Sequence, residues 1–280
     1  MKTLLRSGTK EALIDTDGAF TVIGEKINPT GNKRLAEALR EDNTAAILDL
    51  AVSQVEAGAT VLDVNTGLRG IDEVVVLPRI VQMVSEAVNV PISIDTANPS
   101  VLEAALKVVK GKALINSVTG EEKSMASVLP LVKEYGAAVI GLVMDDSGIP
   151  ETPEARLKVA ENILEKAAAI GIPAEDVVID PLVMAVATDS NAVRVTIGTI
   201  QLVREKLGVN INLGASNVSF GLPNRTLLNQ VFLSMAVLAG ATCAITDPMK
   251  MTGIVKGADL MMGHDMFAAE YMQYCRSQES

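Results

Sequence analysis

The chain has 280 residues, 49% of them apolar, with 24 Lys+Arg against 34 Asp+Glu and a formal net charge of −10. A net negative chain that is 2% aromatic and lacks tryptophan is a poor match for nucleic acid or an anionic membrane surface, which need clustered cations and stacking rings. Two cysteines and one histidine cannot build a Cys/His zinc centre, so no metal is assigned, and Cys243 and Cys275 fit a reducing, cytoplasmic setting.

In chain order, residues 1–19 read as an N-terminal extension with no apolar run of signal-peptide length. β-branched runs then alternate with segments of helical periodicity. Predicted strands are Phe20–Gly24, Thr60–Val64, Pro91–Ile94, Ala113–Ile115, Ala137–Met144, Val177–Ile179, Ile211–Gly214 and Cys243–Ile245. Predicted helices include Ala45–Ala57, Glu73–Val88, Ser100–Lys110, Pro153–Ile170, Asn191–Leu207 and Arg225–Ala239. The most apolar stretch, Val231–Ile245, is broken by Ser234, Gly240 and Thr242 and falls short of the roughly 20 residues of a bilayer span. Residues 250–280 read as a C-terminal helical segment. Evenly spaced units without a linker predict one α/β domain over 1–280, a (β/α)8 TIM barrel, in preference to an open doubly wound sheet.

Barrel chemistry sits where strands end, and here the ends are polar. The first predicted strand runs into Glu25, Lys26 and Asn28. The second contains Asp63 and ends at Asn65. The next four lead to Asp95, Asn116, Asp145-Asp146 and Asp180, and the last two to Ser216-Asn217 and Asp247. A single such residue is commonly a helix N-cap, but a ring of them converges on one mouth. Carboxylates and carboxamides without clustered cations suit a neutral, donor-rich heterocycle. A pterin has that character: its 2-amino group, N3–H and N8–H donate and its carbonyl accepts.

Seven segments carry a resemblance: VIGEKINPTG (22–31), LDVNTG (62–67), SIDTANP (93–99), INSVTGE (115–121), VIDPL (178–182), LGASNVSFGLPNR (213–225) and AITDP (244–248). In this order they resemble the methyltetrahydrofolate:corrinoid-protein methyltransferases, including the folate module of cobalamin-dependent methionine synthase. The opening GEKINPTG is most similar to free-standing enzymes of corrinoid-dependent demethylation systems, such as those acting on glycine betaine. The resemblance implies a pterin-binding barrel that moves a methyl group between the cobalt of a corrinoid and N5 of tetrahydrofolate. It implies pterin ligands at Asp95, Asn116 and Asp180, and Asn217 as the catalytic residue nearest N5. It places Gly214 and Ser216 in the loop that approaches the pterin and Arg225 near the folate tail. Glu25, Asn28, Asp63, Asn65, Phe220, Ile245 and Asp247 are second-tier candidates. Phe220 stands where acetogenic relatives have a glutamine, so it either stacks on the aminobenzoyl ring or packs the loop. No corrinoid-binding D-x-H-x-x-G motif is present, so the corrinoid is expected on a separate partner protein. Relatives are homodimers, and a homodimer is expected.

Two other readings stay open. Dihydropteroate synthase shares the pterin-barrel ancestry, but its late cations are replaced by Ala215-Ser216-Asn217 and Thr246-Asp247-Pro248. A catalytically silent folate-binding subunit is the second. Blander readings are given to several residues. Asp145-Asp146 reads as a turn, Cys243 as core and His264 as a surface or cap residue. Met261, Met262, Met266 and Met272 read as helix packing or part of a dimer face.

Overall fold

Residues two apart along a strand share a face, and this period organises the molecule. The computed structural model describes residues 1–279; Ser280, the end of the predicted C-terminal segment, lies outside the described residues. The chain forms β1 (Lys2–Arg6), β2 (Glu11–Asp15), β3 (Thr21–Ile27), α1 (Lys33–Arg40), α2 (Thr44–Glu56), β4 (Val61–Val64) and α3 (Glu73–Val88). It continues through β5 (Ile92–Asp95), α4 (Pro99–Leu106), β6 (Leu114–Thr119), α5 (Glu122–Tyr135), β7 (Ala138–Leu142), α6 (Pro153–Ala169) and β8 (Val177–Asp180). It ends with α7 (Ala192–Lys206), α8 (Arg225–Ala239), β9 (Cys243–Thr246), α9 (Pro248–Met262) and α10 (Ala269–Gln278).

Seven parallel strands form a curled sheet in the order β8-β7-β6-β5-β4-β3-β9. The predicted seventh strand, Ile211–Gly214, is not a regular strand but pairs with both edges through single bridges, Ile179 with Ile211 and Gly214 with Ile245. Backbone bonds from Asn212 N to Ile179 O (2.9 Å) and from Ile245 N to Leu213 O (2.8 Å) join it to β8 and β9. The α/β barrel is therefore closed, with one irregular stave. A side chain occupies part of that ladder: the Ile211 N–H donates to Thr242 Oγ1 at 2.9 Å.

Two apolar layers follow from the alternation. Leu62, Ile92, Ile94, Ile115, Ile179, Ile211, Leu213 and Ala244 face outward and pack with the helices in the larger core. Ile23, Val61, Leu114, Ala138, Ile140, Val178 and Cys243 face inward and form the barrel floor. Leu5 and Ile14, both fully buried, join this floor. They come from β1 and β2, an antiparallel hairpin in the stretch read as an extension. Asn210 ties the hairpin on through Nδ2 bonds to Thr3 Oγ1 and the Ile14 carbonyl, both 2.9 Å. Among the described residues, no helix is long and apolar enough to cross a membrane.

Four further expectations change. Asn116 does not end its strand but lies inside β6, where the register against β7 shifts between Asn116 and Val118. A polar residue at an irregularity looks like a terminus in sequence. The predicted helix Ser100–Lys110 stops at Leu106, and the strand Ala137–Met144 contracts to Ala138–Leu142. Met261, Met262, Met266 and Met272 pack no core: they are exposed on the C-terminal helices and their connection.

Candidate active site at the barrel mouth

One step above the floor, the inward face turns polar. Ile23 is followed two residues on by Glu25, Val61 by Asp63, Leu114 by Asn116 and Val178 by Asp180. Ser93 and Asp95 occupy the inward positions of β5, because Ile92 and Ile94 point out to the helices. The period that buries the floor thus aims five predicted site residues at one interior.

Asp63 sits at the centre of one cluster. It is 2% exposed and its Oδ1 accepts from Ser93 Oγ at 2.6 Å and Asn116 Nδ2 at 3.2 Å. Asp95 accepts from the Asn65 side chain and faces the Asp63 carboxyl, with which it can share a hydrogen bond only while one of the two is protonated. Burial, then the neighbouring Asp95 and Glu25, push the Asp63 carboxyl well above the usual range. Burial also raises Asp95 and Glu25. Crowded, desolvated carboxylates are costly while charged, so this polar layer above the floor suits a donor-rich partner. A cavity bounded by Asp95, Asn116, Ser117 and Thr119 opens beside the pair.

Because its folded-state carboxyl titrates above the unfolded value, Asp63 binds protons that the unfolded chain has released, and stability falls as pH rises. Asp63→Asn removes this penalty. We expect a higher melting temperature at about pH 8, by about 2–4 °C per kcal/mol recovered, and little change at about pH 5. Equal melting curves at the alkaline pH would contradict it.

The second cluster surrounds Asp180, which is 6% exposed. Its Oδ1 accepts from the Leu182 N–H at 2.8 Å and its Oδ2 from Asn212 Nδ2 at 2.7 Å, with the Gly214 N–H as a further donor. Burial outweighs these donors and raises the carboxyl to about 6. Leu182 adopts a left-handed φ of 64°, a strained conformation for a branched side chain. Arg156, 3% exposed, holds it there by donating from Nη1 to the Pro181 and Leu182 carbonyls at 2.7 and 2.9 Å.

Ala215–Ser219 form a single 3-10 turn that carries Asn217, exposed at the mouth. A Cβ on Gly214 would stand 3.1 Å from Asn217 Nδ2, a tight contact that would push the carboxamide aside by a few tenths of an ångström. Ser216 hydrogen-bonds Glu25, linking the turn to the first cluster. Arg225 donates from Nη2 to the Ser216 carbonyl at 2.7 Å and from Nε to Ser219 Oγ at 3.0 Å. Its guanidinium lies 5.9 Å from the centre of the Phe220 ring, and Phe220 is 68% exposed. Phe220 is thus an open ring backed by a cation, not loop packing.

Other candidates have structural work. Asp247 caps α9, accepting from the Met249 N–H at 3.2 Å, and pairs with Lys26 at 2.7 Å. Asn28 and Asn65 close short turns by accepting from the Thr30 and Gly67 N–H groups at 2.9 and 2.7 Å. Ile245 packs against the barrel floor. Asp145 pairs with Gly148 in a tight turn, Cys243 is buried, and His264 lies beside the Asp259 carboxylate. Sequence reading missed Ser93, Arg156 and Asn212; for Ser93, alternation with Asp95 was an available signal.

The fold and site together are a closed parallel α/β barrel whose mouth is lined by buried carboxylates and carboxamides. The family model described as pterin binding enzyme matches residues 24–247. The methylcorrinoid:tetrahydrofolate methyltransferase of Eubacterium limosum is 34% identical over 263 residues, covering 91% of this chain and 96% of that protein. Methionine synthase of Mycobacterium tuberculosis is 33% identical over 248 residues, covering 84% of this chain but only 21% of the synthase. Among solved structures, a dihydropteroate synthase from Yersinia pestis superposes with a TM-score of 0.71 at 15% identity, covering 90% of this chain and 97% of that one. The synthase from Vibrio fischeri gives 0.69 at 20%, covering 94% and 98%. At those identities the synthases share the fold alone. The chain belongs to the pterin-binding enzymes, and within them to the methyltransferases that these two sequence relatives represent.

Proposed function

We propose that the protein moves a methyl group between N5 of tetrahydrofolate and the cobalt of a corrinoid carried by a separate protein in the cytoplasm. The observation that carries this reading is the acceptor-lined mouth, combined with end-to-end similarity to a methyltransferase of that name. Asp180, Asp95 and Asn116 take the pterin's N–H groups and carbonyl. Ser216 and Gly214 let the backbone approach the ring, and Arg225 with Phe220 faces the aminobenzoyl and glutamate tail. In the demethylating direction the N5–C bond breaks, cobalt in its Co(I) state supplies both electrons of the new Co–C bond, and N5 keeps its electron pair. That nitrogen needs a proton or a strong hydrogen bond to leave. Asn217 supplies the contact that tightens as N5 protonates. The rest of the contribution is alignment of N5, methyl and cobalt.

The test is spectroscopic exchange between 5-methyltetrahydrofolate and Co(I) cobalamin. The reading requires enzyme-dependent loss of the Co(I) band with formation of methylcobalamin. Tight folate binding without exchange would leave a silent binding subunit instead. A dihydropteroate synthase reading has no support at the mouth: Ala215-Ser216-Asn217 supplies no cation for a pyrophosphate, and Lys26 is paired with Asp247.

We also propose a homodimer formed through α8. Leu227, Val231, Met235 and Leu238 repeat at helical spacing and are 45–73% exposed, an apolar stripe that a second copy would cover. Val231→Glu with Leu238→Glu is expected to halve the mass seen by light scattering while leaving the melting temperature near its starting value. A monomeric wild-type protein would refute this interface.

A further inference from the structure

The eighth stave carries a residue that neither the resemblance nor the comparisons assign. Ile211 and Leu213 pack outward, so Asn212 points into the barrel, where it is fully buried. Its Nδ2 donates to Asp180 Oδ2 at 2.7 Å, and its Oδ1 faces Cys243 Sγ at 3.6 Å. The geometry fixes which way the carboxamide is turned. An ionised carboxylate only accepts, so the amino end must meet Asp180, while the thiol can donate to the carbonyl end. Asp180 then has both oxygens engaged, by Leu182, Gly214 and Asn212.

We propose that Asn212 is a positioning residue for the proposed folate site: its Nδ2 holds the Asp180 carboxylate as an acceptor with its free lone pairs turned to the pterin N–H groups. This rests on the folate reading above. The other ionisable groups facing Asp180 are Arg156, from α6, and Cys243, from β9. Arg156 is spent on the Pro150, Pro181 and Leu182 carbonyls. Burial holds the Cys243 thiol well above its ordinary range, so it stays neutral. Asn212 is therefore the side chain that bonds this carboxylate directly.

Two variants have opposite signatures. In Asn212→Leu the donor is lost, the charged form of Asp180 is less favoured, and its titration moves up by about one pH unit. The acid-side loss of 5-methyltetrahydrofolate affinity moves with it. In Asn212→Asp the introduced carboxyl donates like the amide while protonated. It ionises as pH rises and then repels Asp180. Folate binding should persist near about pH 6 and fall towards about pH 8, the reverse of wild type. A merely structural asparagine would weaken binding in both variants at every pH. The Asp180 titration is read by carbon-13 NMR in protein without folate, with Asp180→Asn to assign the signal. Affinity is read by calorimetry. An unmoved Asp180 midpoint in Asn212→Leu, or matching pH profiles in all three proteins, overturns the inference. Should Asn212→Leu fail to fold, the inverted profile of the near-isosteric Asn212→Asp decides. A moved midpoint in Asn212→Leu together with a wild-type protein that binds no folate would instead overturn the folate reading, and the pterin-facing role with it.

Discussion

Replacing Asn217 by alanine is expected to lower the turnover number for methyl transfer by about 10²–10³-fold while folate affinity changes by less than about threefold. The side chain is exposed on a turn whose backbone is fixed independently: its N–H donates to the Gly214 carbonyl at 3.2 Å and its carbonyl accepts from Phe220 N–H at 3.1 Å. Truncation at Cβ therefore leaves the turn and the core intact. What disappears, on the proposed reading, is a carboxamide that would meet N5 most strongly when the nitrogen carries a proton. An interaction made only in the transition state appears in kcat, whereas one made equally in the bound substrate appears in KM. Single-turnover transfer to Co(I) cobalamin, alongside calorimetric folate affinity, separates the two. Full turnover with a raised KM would remove Asn217 from the chemistry and leave it a binding contact.

Much of this site is legible because the barrel interior obeys a two-residue period. VLDV, SID, LIN and VID each place a polar residue on a face otherwise used for the floor. That gives Asp63, Asp95, Asn116 and Asp180 without knowledge of any contact. The same rule was available for KTLLR and EALID, whose alternation across Ser7–Lys10 marks a hairpin. It went unread because the stretch precedes the repeating β/α units. Asn212 was illegible for a different reason. In INLG the inward polar residue sits on a stave with single bridges to its neighbours, so nothing local states its facing. Its partner lies 32 residues away. Arg156 is harder still, because helical periodicity marks it only as a break in an apolar face. The carbonyls that it holds belong to the loop after β8. Alternation reports direction within one strand, and networks between strands need the closed barrel.

Asp180→Asn is expected to weaken folate binding at neutral pH by about 10–100-fold, the loss of one charge-assisted acceptor of about 1.5–3 kcal/mol. The carboxylate accepts from Leu182, Asn212 and Gly214. An amide offers one oxygen in place of two and turns an N–H towards donors. The pH dependence separates this loss from general damage. Burial raises the Asp180 carboxyl to about 6, so wild-type affinity should fall as the solution is acidified through that value, because the protonated group has lost acceptor capacity. The amide does not titrate, and the variant's affinity should fall less on acidification, the remainder coming from Asp95. Stability runs the other way. The folded protein takes up a proton at Asp180 more readily than the unfolded chain, so this group favours the ligand-free fold at low pH. That contribution fades as pH rises from the usual carboxylate range to about 6. Folate binding would reverse the trend, since a carboxylate paired with ring N–H groups is held ionised. The melting-temperature gain from folate should therefore grow from about pH 5 to about pH 7 in wild type and grow less steeply in Asp180→Asn, where only Asp95 still titrates against the ring. A wild-type gain independent of pH would show that this carboxylate does not meet the pterin.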